Sequence, residues 1–185
     1  MLLGFAPFIM FALLVIVSVD LALWIAFATA FAVGIRDFAQ SRLLRLLDVG
    51  STALFGLLAL YAGFIQPGVP VPIARLAVDG GFCIICLLSI LIRNPVTRQY
   101  ACDLMPKEMW STRRFVYTNY AITLMWTLAF ALMAAADAFT NMNKILPSWL
   151  DVAVGLVALA IAIAFTARFP AYMNAHAENG AARTA

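Results

Sequence analysis

The chain has 185 residues, of which 65% are hydrophobic and only 11% are charged, and its mean hydropathy is +0.97. A soluble domain of this length needs far more charge on its surface, so the composition excludes a soluble globular protein and indicates one that crosses a membrane several times. The net charge of +3 does not point to nucleic acid, because lysines and arginines cluster in the connections between apolar segments.

The first 35 residues form one apolar run that only Ser18 and Asp20 interrupt. A single helix of this length would rise about 50 Å, which exceeds the hydrocarbon thickness of about 30 Å. We therefore predict two short helices, near 3–18 and 21–35, which either span a locally thinned bilayer or form a hairpin that does not cross it fully. A cleaved signal peptide is the competing interpretation, but the basic residues that precede the apolar part of such peptides are missing.

Small residues recur every four positions along the second helix, which places them on one face and lets a neighbouring helix approach closely. This pattern predicts a packing seam made of Ala22, Ala26, Ala30 and Gly34. A basic connection follows, and a third helix near 49–65 ends at the turn-forming segment QPGVPVP.

The fourth apolar run, near 72–92, carries Arg75 and Asp79 one helical turn apart. At this spacing they can form an ion pair, which lowers the cost of charges below the headgroups. Two interpretations stay open: a structural pair at the membrane interface, and a polar pocket or ion path. Cys83 and Cys86 form a C-x-x-C pattern on this helix, but no neighbouring cation favours the thiolate, so we predict packing residues.

The connection 93–114 is the longest polar interruption of the chain. We predict that it lies at the interface with anionic headgroups, where each basic residue contributes about 1 kcal/mol, and that it docks partner proteins. This interfacial docking loop is defined by Pro95, Pro106, Trp110, Arg113 and Arg114.

The fifth helix is predicted near 115–136 and carries Asn119, Thr123 and Thr127 on one stripe. Polar side chains that face lipid cost free energy, so this stripe should face other helices, either as interhelical hydrogen bonds or as a polar conduit. A sixth helix is predicted near 149–168. The small, polar segment 171–185 is predicted to be a disordered cytoplasmic tail.

The charges predict the orientation. Ten of the twelve lysines and arginines are predicted on the face of the membrane that holds both termini, and the other face receives only Arg75 and Lys144. The positive-inside rule therefore predicts cytoplasmic N- and C-termini. That other face collects four carboxylates, which are either water-facing helix caps or an acidic vestibule that draws in cations: Asp20, Asp79, Asp137 and Asp151. The basic residues on the cytoplasmic side are Arg36, Arg42, Arg45, Arg93, Arg98, Lys107, Arg113, Arg114, Arg168 and Arg183.

The segment RNPVTRQYACDLMPKEMWSTRRFVYTNYAITLMWTLAFALMAAADAF contains Leu104, Pro106 and Trp110 at a Leu-x-Pro-x-x-x-Trp spacing, followed by Asn119 and Trp126. With the apolar N-terminal hairpin, it resembles the intracellular septation protein A family of bacterial inner-membrane proteins. The resemblance covers about 1–170 and is to a divergent member, because PIARLAVDGG replaces the family's motif before the fourth helix. It implies a role in envelope synthesis and division through contacts with other membrane proteins, without catalytic residues.

The fold we expect is therefore an all-α, polytopic transmembrane bundle of about six helices, the first two short. The function we expect is that of a non-enzymatic inner-membrane protein of cell-envelope maintenance or septation. Its partners would be the lipid bilayer and other inner-membrane proteins, and the small-residue faces are also compatible with a homodimer. The alternative is a small transporter or channel whose polar route is lined by Arg75, Asp79, Asn119 and Thr123.

We expect neither an enzyme nor a metal or cofactor site. The sequence lacks H-E-x-x-H, G-x-S-x-G and P-loop patterns. The three cysteines suggest no disulfide framework, and the single histidine, His176, excludes a bis-histidine haem or a histidine-rich metal site.

Overall fold

The computed structural model describes residues 2–142 and 149–184. These residues form α-helices and short helical turns without a β-strand, which confirms the predicted all-α class. The α-helices are α1 (Ala6–Leu14), α2 (Val19–Ser41), α3 (Leu46–Leu60), α4 (Val71–Leu91), α5 (Val96–Ala101), α6 (Arg113–Met142) and α7 (Trp149–Thr184).

Short helical turns adjoin three parts of this framework. A 3₁₀ turn at Leu2–Phe5 leads into α1, a π-helical turn at Tyr61–Ile65 extends α3, and a 3₁₀ turn at Lys107–Met109 precedes α6. Among the described residues, five helical segments are long and apolar enough to cross a membrane, so the chain is a multi-pass membrane protein. These segments are Val19–Ser41, Leu46–Ile65, Val71–Leu91, Arg113–Met142 and Trp149–Met173.

The first two helices differ from the predicted short pair. The nine residues of α1 rise only about 14 Å, so α1 does not span a bilayer by itself. The second helix, α2, has 23 residues and runs from Val19 to Ser41, whereas the prediction places it near positions 21–35. It continues through the polar residues after Gly34 and ends where Arg42 adopts a left-handed φ of 55°. Its other end is capped by Ser18, whose Oγ accepts a hydrogen bond from the Leu21 N–H at 3.4 Å.

The last two helices are also longer than predicted. The helix α6, which corresponds to the predicted fifth helix, extends to Met142 rather than to 136. The helix α7 continues through Pro170 to Thr184, across most of the segment predicted to be a disordered tail. Alanines recur along that segment, and alanine has the highest helix propensity. Lys144, assigned from the sequence to the connection before α7, lies outside the described residues.

The core of the bundle is aromatic and is organised around α1. Phe82 of α4 and Phe130 of α6 are fully buried, and their rings stack with centroids 5.2 Å apart. Phe8 of α1 meets both rings edge-on, at 5.4 and 5.5 Å. Phe5 stacks on Trp126 at 4.4 Å. The short helix α1 therefore fills the centre of the bundle, between the longer helices.

The predicted packing seam on α2 is buried at its three alanines, whereas its fourth member, Gly34, is half-buried. Ala22, Ala26 and Ala30 are at most 1% exposed, and the neighbours of α2 are α1 and α3. Because these side chains are small, the adjacent helices approach the α2 backbone closely.

The bundle has a basic end, which carries residues 36–45 and 93–114. The opposite end is the acidic end, which carries Asp79, Asp137 and Asp151. At the basic end, a Cβ atom on Gly4 would lie only 2.5 Å from the Tyr100 hydroxyl, so α1 starts there against α5. At the acidic end, Val15 and Ile16 line a cavity together with Asp79. The chain from Gly4 through α1 to Ile16 therefore points from the basic end toward the acidic end, without covering the full length of the bundle.

Candidate functional site

Three aspartates and one arginine meet at the acidic end of the bundle. Arg75 and Asp79 belong to α4, Asp137 belongs to α6 and Asp151 belongs to the first turn of α7. All three carboxylates are buried, with exposed fractions of 3% for Asp79, 1% for Asp137 and 5% for Asp151. We call these four residues the aspartate cluster.

Arg75 connects helices within this cluster. Its Nη2 lies 3.2 Å from Asp137 Oδ1, and its Nη1 donates a hydrogen bond of 3.1 Å to Asp151 Oδ2. The sequence spacing predicts an ion pair between Arg75 and Asp79 on one helix, whereas these two ion pairs join α4 to α6 and to α7. The long arginine side chain reaches carboxylates on two neighbouring helices at once, because its planar guanidinium group carries five N–H donors.

Asp79 lies beside this ion-pair network. Its carboxyl group contacts the carboxyl group of Asp137 and interacts with the Arg75 guanidinium. In the part of the chain that the structure describes, neither side-chain oxygen of Asp137 has a hydrogen-bond partner of regular geometry. The cluster therefore combines one fixed positive charge with three ionisable carboxyl groups, and the Asp137 carboxyl contacts those of both Asp79 and Asp151.

An open cavity of about 280 Å³ adjoins the cluster and is lined by Arg75 and Asp79. A water molecule occupies about 30 Å³ in the liquid, so the cavity has room for several. The rest of its lining is mostly apolar and comes from α1, α4, α6 and α7, with Phe11, Met133 and Leu156 among the lining residues. Asp79 and Arg75 are therefore the charged groups of an otherwise mostly apolar cavity.

On the side of the basic end, the cluster is sealed by the aromatic core. Phe130 lies seven positions before Asp137 on α6, a rise of about 10 Å, and packs against Phe82 and Phe8. These three rings are at most 7% exposed. The arrangement leaves the cluster accessible through its own cavity and closed toward the basic end.

Asn119 and Thr123, predicted to share a polar route with Arg75 and Asp79, lie in a different part of the bundle. Thr123 precedes Asp137 by fourteen positions on α6, a rise of about 21 Å. Both are buried against Thr97 of α5, whose Oγ1 donates a hydrogen bond of 2.8 Å to the Asn119 carbonyl and lies 2.8 Å from Thr123 Oγ1. The predicted pocket thus separates into the aspartate cluster and a group of hydrogen bonds that holds α5 against α6.

A second charged network lies at the basic end and was not predicted from the sequence. Arg45 pairs with both Asp37 and Asp103, and its guanidinium carbon lies 4.4 Å from the centroid of the Tyr100 ring. The Tyr100 hydroxyl donates a hydrogen bond of 2.8 Å to Asp48. Burial, followed by the nearby Asp48 carboxyl, raises the pKa of Tyr100, so this hydroxyl keeps its proton. The network joins α2, α3 and α5.

The residues of the predicted interfacial docking loop differ in exposure. Pro95 is fully buried and Trp110 is half-buried, with its Nε1 donating a hydrogen bond of 2.9 Å to the Met105 carbonyl. Pro106 and Arg113 are exposed, and Arg114 is half-buried. The sequence does not predict that three apolar side chains of this loop would be exposed: Leu104 (78%), Met105 (46%) and Met109 (43%).

Among the described residues, no three or more histidine, cysteine, aspartate or glutamate side chains are arranged so that they could hold a metal ion. No family model matches this chain, and no curated protein or solved structure is significantly similar to it.

Proposed function

We propose that the protein is a small ion-coupled membrane transporter and that the aspartate cluster is its ion site. The observation that carries this proposal is that buried carboxyl groups from three helices exceed the one arginine beside them and border an open cavity. Ionisable groups inside a membrane are costly and typically mark ion or proton pathways. A purely structural ion pair needs one carboxylate for Arg75, whereas three lie here.

The aromatic core favours a carrier over an open channel. Phe8, Phe82 and Phe130 pack together on the side of the basic end and leave no polar path there among the described residues. An ion that enters from the acidic end therefore needs a rearrangement of the bundle to leave at the other. Phe8 belongs to α1, the short helix, so a displacement of α1 would open this layer.

The test is an ion flux in sealed vesicles that contain the purified protein. We expect D79N and D137N to lower a wild-type flux of protons or monovalent cations at least about tenfold, since a tenfold change needs only about 1.4 kcal/mol and each substitution removes an ionisable group from the site. The matched control is E108Q, which makes the same chemical change in an exposed residue at the basic end.

Two results would contradict the transporter. One is a wild-type protein that moves no proton or monovalent cation under an imposed gradient. The other is a flux that D79N, D137N and E108Q leave equally unchanged, because the cluster would then not be part of the route.

A second candidate function is that of a bacterial inner-membrane protein of envelope maintenance or septation that acts by contacting other membrane proteins. The specific observation in its favour is the exposed apolar group Leu104, Met105 and Met109 beside the basic residues Lys107 and Arg113. Apolar side chains rimmed by polar ones are typical of interaction sites. The hydrogen bonds between α5 and α6 hold one side of this loop in place.

Crosslinking in cells tests the second candidate. A photo-crosslinking residue at Leu104 should capture proteins of division or wall synthesis, and the same residue at Leu57, which is 69% exposed on the side of α3, should not. Capture of a second copy of this chain at 104 would instead indicate a homodimer. Equal capture at both positions would contradict a docking function for the loop.

A further inference from the structure

We propose that the carboxyl groups of Asp79 and Asp137 share one proton, and that this proton is the ion carried by the aspartate cluster. The statement that the proton is carried rests on the proposed transporter function, whereas the statement that the proton is shared does not. The pair lies where α4 packs against α6, with both residues at most 3% exposed.

A contact between the carboxyl groups of Asp79 and Asp137 requires a hydrogen-bond donor. A carboxylate can only accept hydrogen bonds, so two ionised carboxyl groups in contact repel each other and leave their oxygens without partners. In the described part of the chain, both Asp137 side-chain oxygens are buried without a regular hydrogen bond, although Arg75 Nη2 lies 3.2 Å from Oδ1. The Asp79 carboxyl contacts the Asp137 carboxyl, as the Asp151 carboxyl also does. A proton on one of the two groups converts the contact into an O–H···O⁻ hydrogen bond, which is strong because the acceptor is ionised.

The charges around the pair leave room for one proton. Arg75 supplies one positive charge and contacts both Asp137 and Asp151. Asp151 lies in the first turn of α7, where the helix dipole adds the equivalent of about half a positive charge. Its Oδ1 also accepts a hydrogen bond of 2.7 Å from the Val152 N–H. These groups offset about one and a half of the three negative charges, and one proton on the pair offsets most of the remainder.

The surroundings favour a proton over a larger cation. A hard cation such as Ca²⁺ takes about six to eight oxygen ligands, whereas the cavity beside the pair is lined mostly by apolar side chains such as Phe11 and Leu156. A shared proton needs only the two carboxyl oxygens. The charged groups that face the pair are Arg75 from α4 and Asp151 from α7, and the cavity lining from α1 is entirely apolar.

The cavity also provides the exchange path. Asp79 lines it directly, so water in the cavity can deliver a proton to the pair or remove one. On the opposite side, the aromatic core excludes water. The proton therefore exchanges with the acidic end in this conformation and would reach the basic end only after a rearrangement.

Infrared spectroscopy of the full-length protein in lipid vesicles tests the shared proton without any transport. We expect the carboxylic C=O band of a protonated aspartate at neutral pH, shifted in heavy water, and lost in D79N and in D137N. E108Q is the control and should keep the band. Because both Asp→Asn changes conserve size, a folded variant is expected, and a pH titration of the wild-type band gives a second measurement that needs no variant.

Three results would overturn the inference. The wild-type band could be missing at neutral pH, it could persist in both variants, or it could disappear when sodium replaces potassium at constant pH, which would show that a metal cation displaces the proton. The two proposals also fail separately. A band without proton flux would leave the shared proton standing and reject its transport, and a cation flux without the band would support a transporter that carries another ion.

Discussion

Replacement of Phe82 by alanine is expected to lower the free energy of unfolding by about 3–5 kcal/mol. The Phe82 side chain is fully buried and touches Phe8, Phe55 and Phe130. In a membrane the packed ring gains little from leaving water, but the cavity left by its removal forfeits the dispersion contacts with all three neighbours. The loss should appear as unfolding at a lower mole fraction of denaturing detergent in mixed micelles.

The matched control is F64A. Phe64 is 76% exposed in the π-helical turn after α3, so its truncation should change the unfolding free energy by no more than about 0.5 kcal/mol. Equal effects of the two substitutions would mean that the aromatic core does not hold the bundle together. The F82A variant should also loosen α1, since Phe8 would lose one of its two edge-on partners.

Replacement of Arg75 by glutamine is the second substitution with a large expected effect, a destabilisation of about 3–5 kcal/mol. Without the guanidinium group, Asp137 and Asp151 lose their ion-pair partner while both stay buried. R75K should recover only part of the loss, because an ammonium group is a single point charge that cannot hold two carboxylates in the manner of a planar guanidinium. Detergent-induced unfolding again gives the measurement.

R113Q is the control for this series, since Arg113 is exposed at the basic end and its loss should cost at most about 0.5 kcal/mol. The double variant R75Q/D151N should be more stable than R75Q, because it removes one of the carboxylates that the arginine neutralised. If R75Q is as stable as the wild type, the ion pairs across α4, α6 and α7 contribute nothing to the bundle and the cluster is not held by Arg75.

The two substitutions probe neighbouring layers that depend on each other. The aromatic core seals one side of the aspartate cluster, and α1 contributes both Phe8 to the core and Phe11 to the lining of the cavity. A variant that displaces α1 should therefore alter ion flux as well as stability. F82A with a proton leak in vesicles would link the seal directly to the proposed transport.

Much of the membrane architecture could be predicted because hydropathy is a local property. Apolar runs long enough to span the bilayer predict α3, α4 and α6 near their observed positions, with α6 continuing beyond the predicted end. Boundaries were less predictable at α2, because helix formation continues past the apolar part when a polar residue such as Asp37 finds a partner in another part of the chain, here Arg45.

The candidate site could be predicted only in part. Arg75 and Asp79 stand out because charge is rare in an apolar helix, and Asp137 and Asp151 appear in the sequence only as members of an acidic face. Their assembly depends on contacts between distant parts of the chain, since Asp151 is 76 positions from Arg75. Asn119 and Thr123 were grouped with them from polarity alone, and the rise along α6 separates them.

The network around Arg45 illustrates the same limit at the basic end. In the sequence, Asp37 and Asp48 are only minor negative charges within a basic connection. Their roles become visible when α5 folds back and brings Tyr100 onto Asp48 and Arg45. No local periodicity encodes this contact.

The sequence by itself determines that this protein is an all-helical, multi-pass membrane protein, because composition and hydropathy decide which segments can leave water. Its charge asymmetry predicts the orientation in the membrane. Only the tertiary structure decides that α1 is a short helix packed in the aromatic core and that Arg75 binds Asp137 and Asp151 rather than Asp79. The physical reason is that partner choice for a buried charge depends on which helices pack together, and that information is not local in the chain.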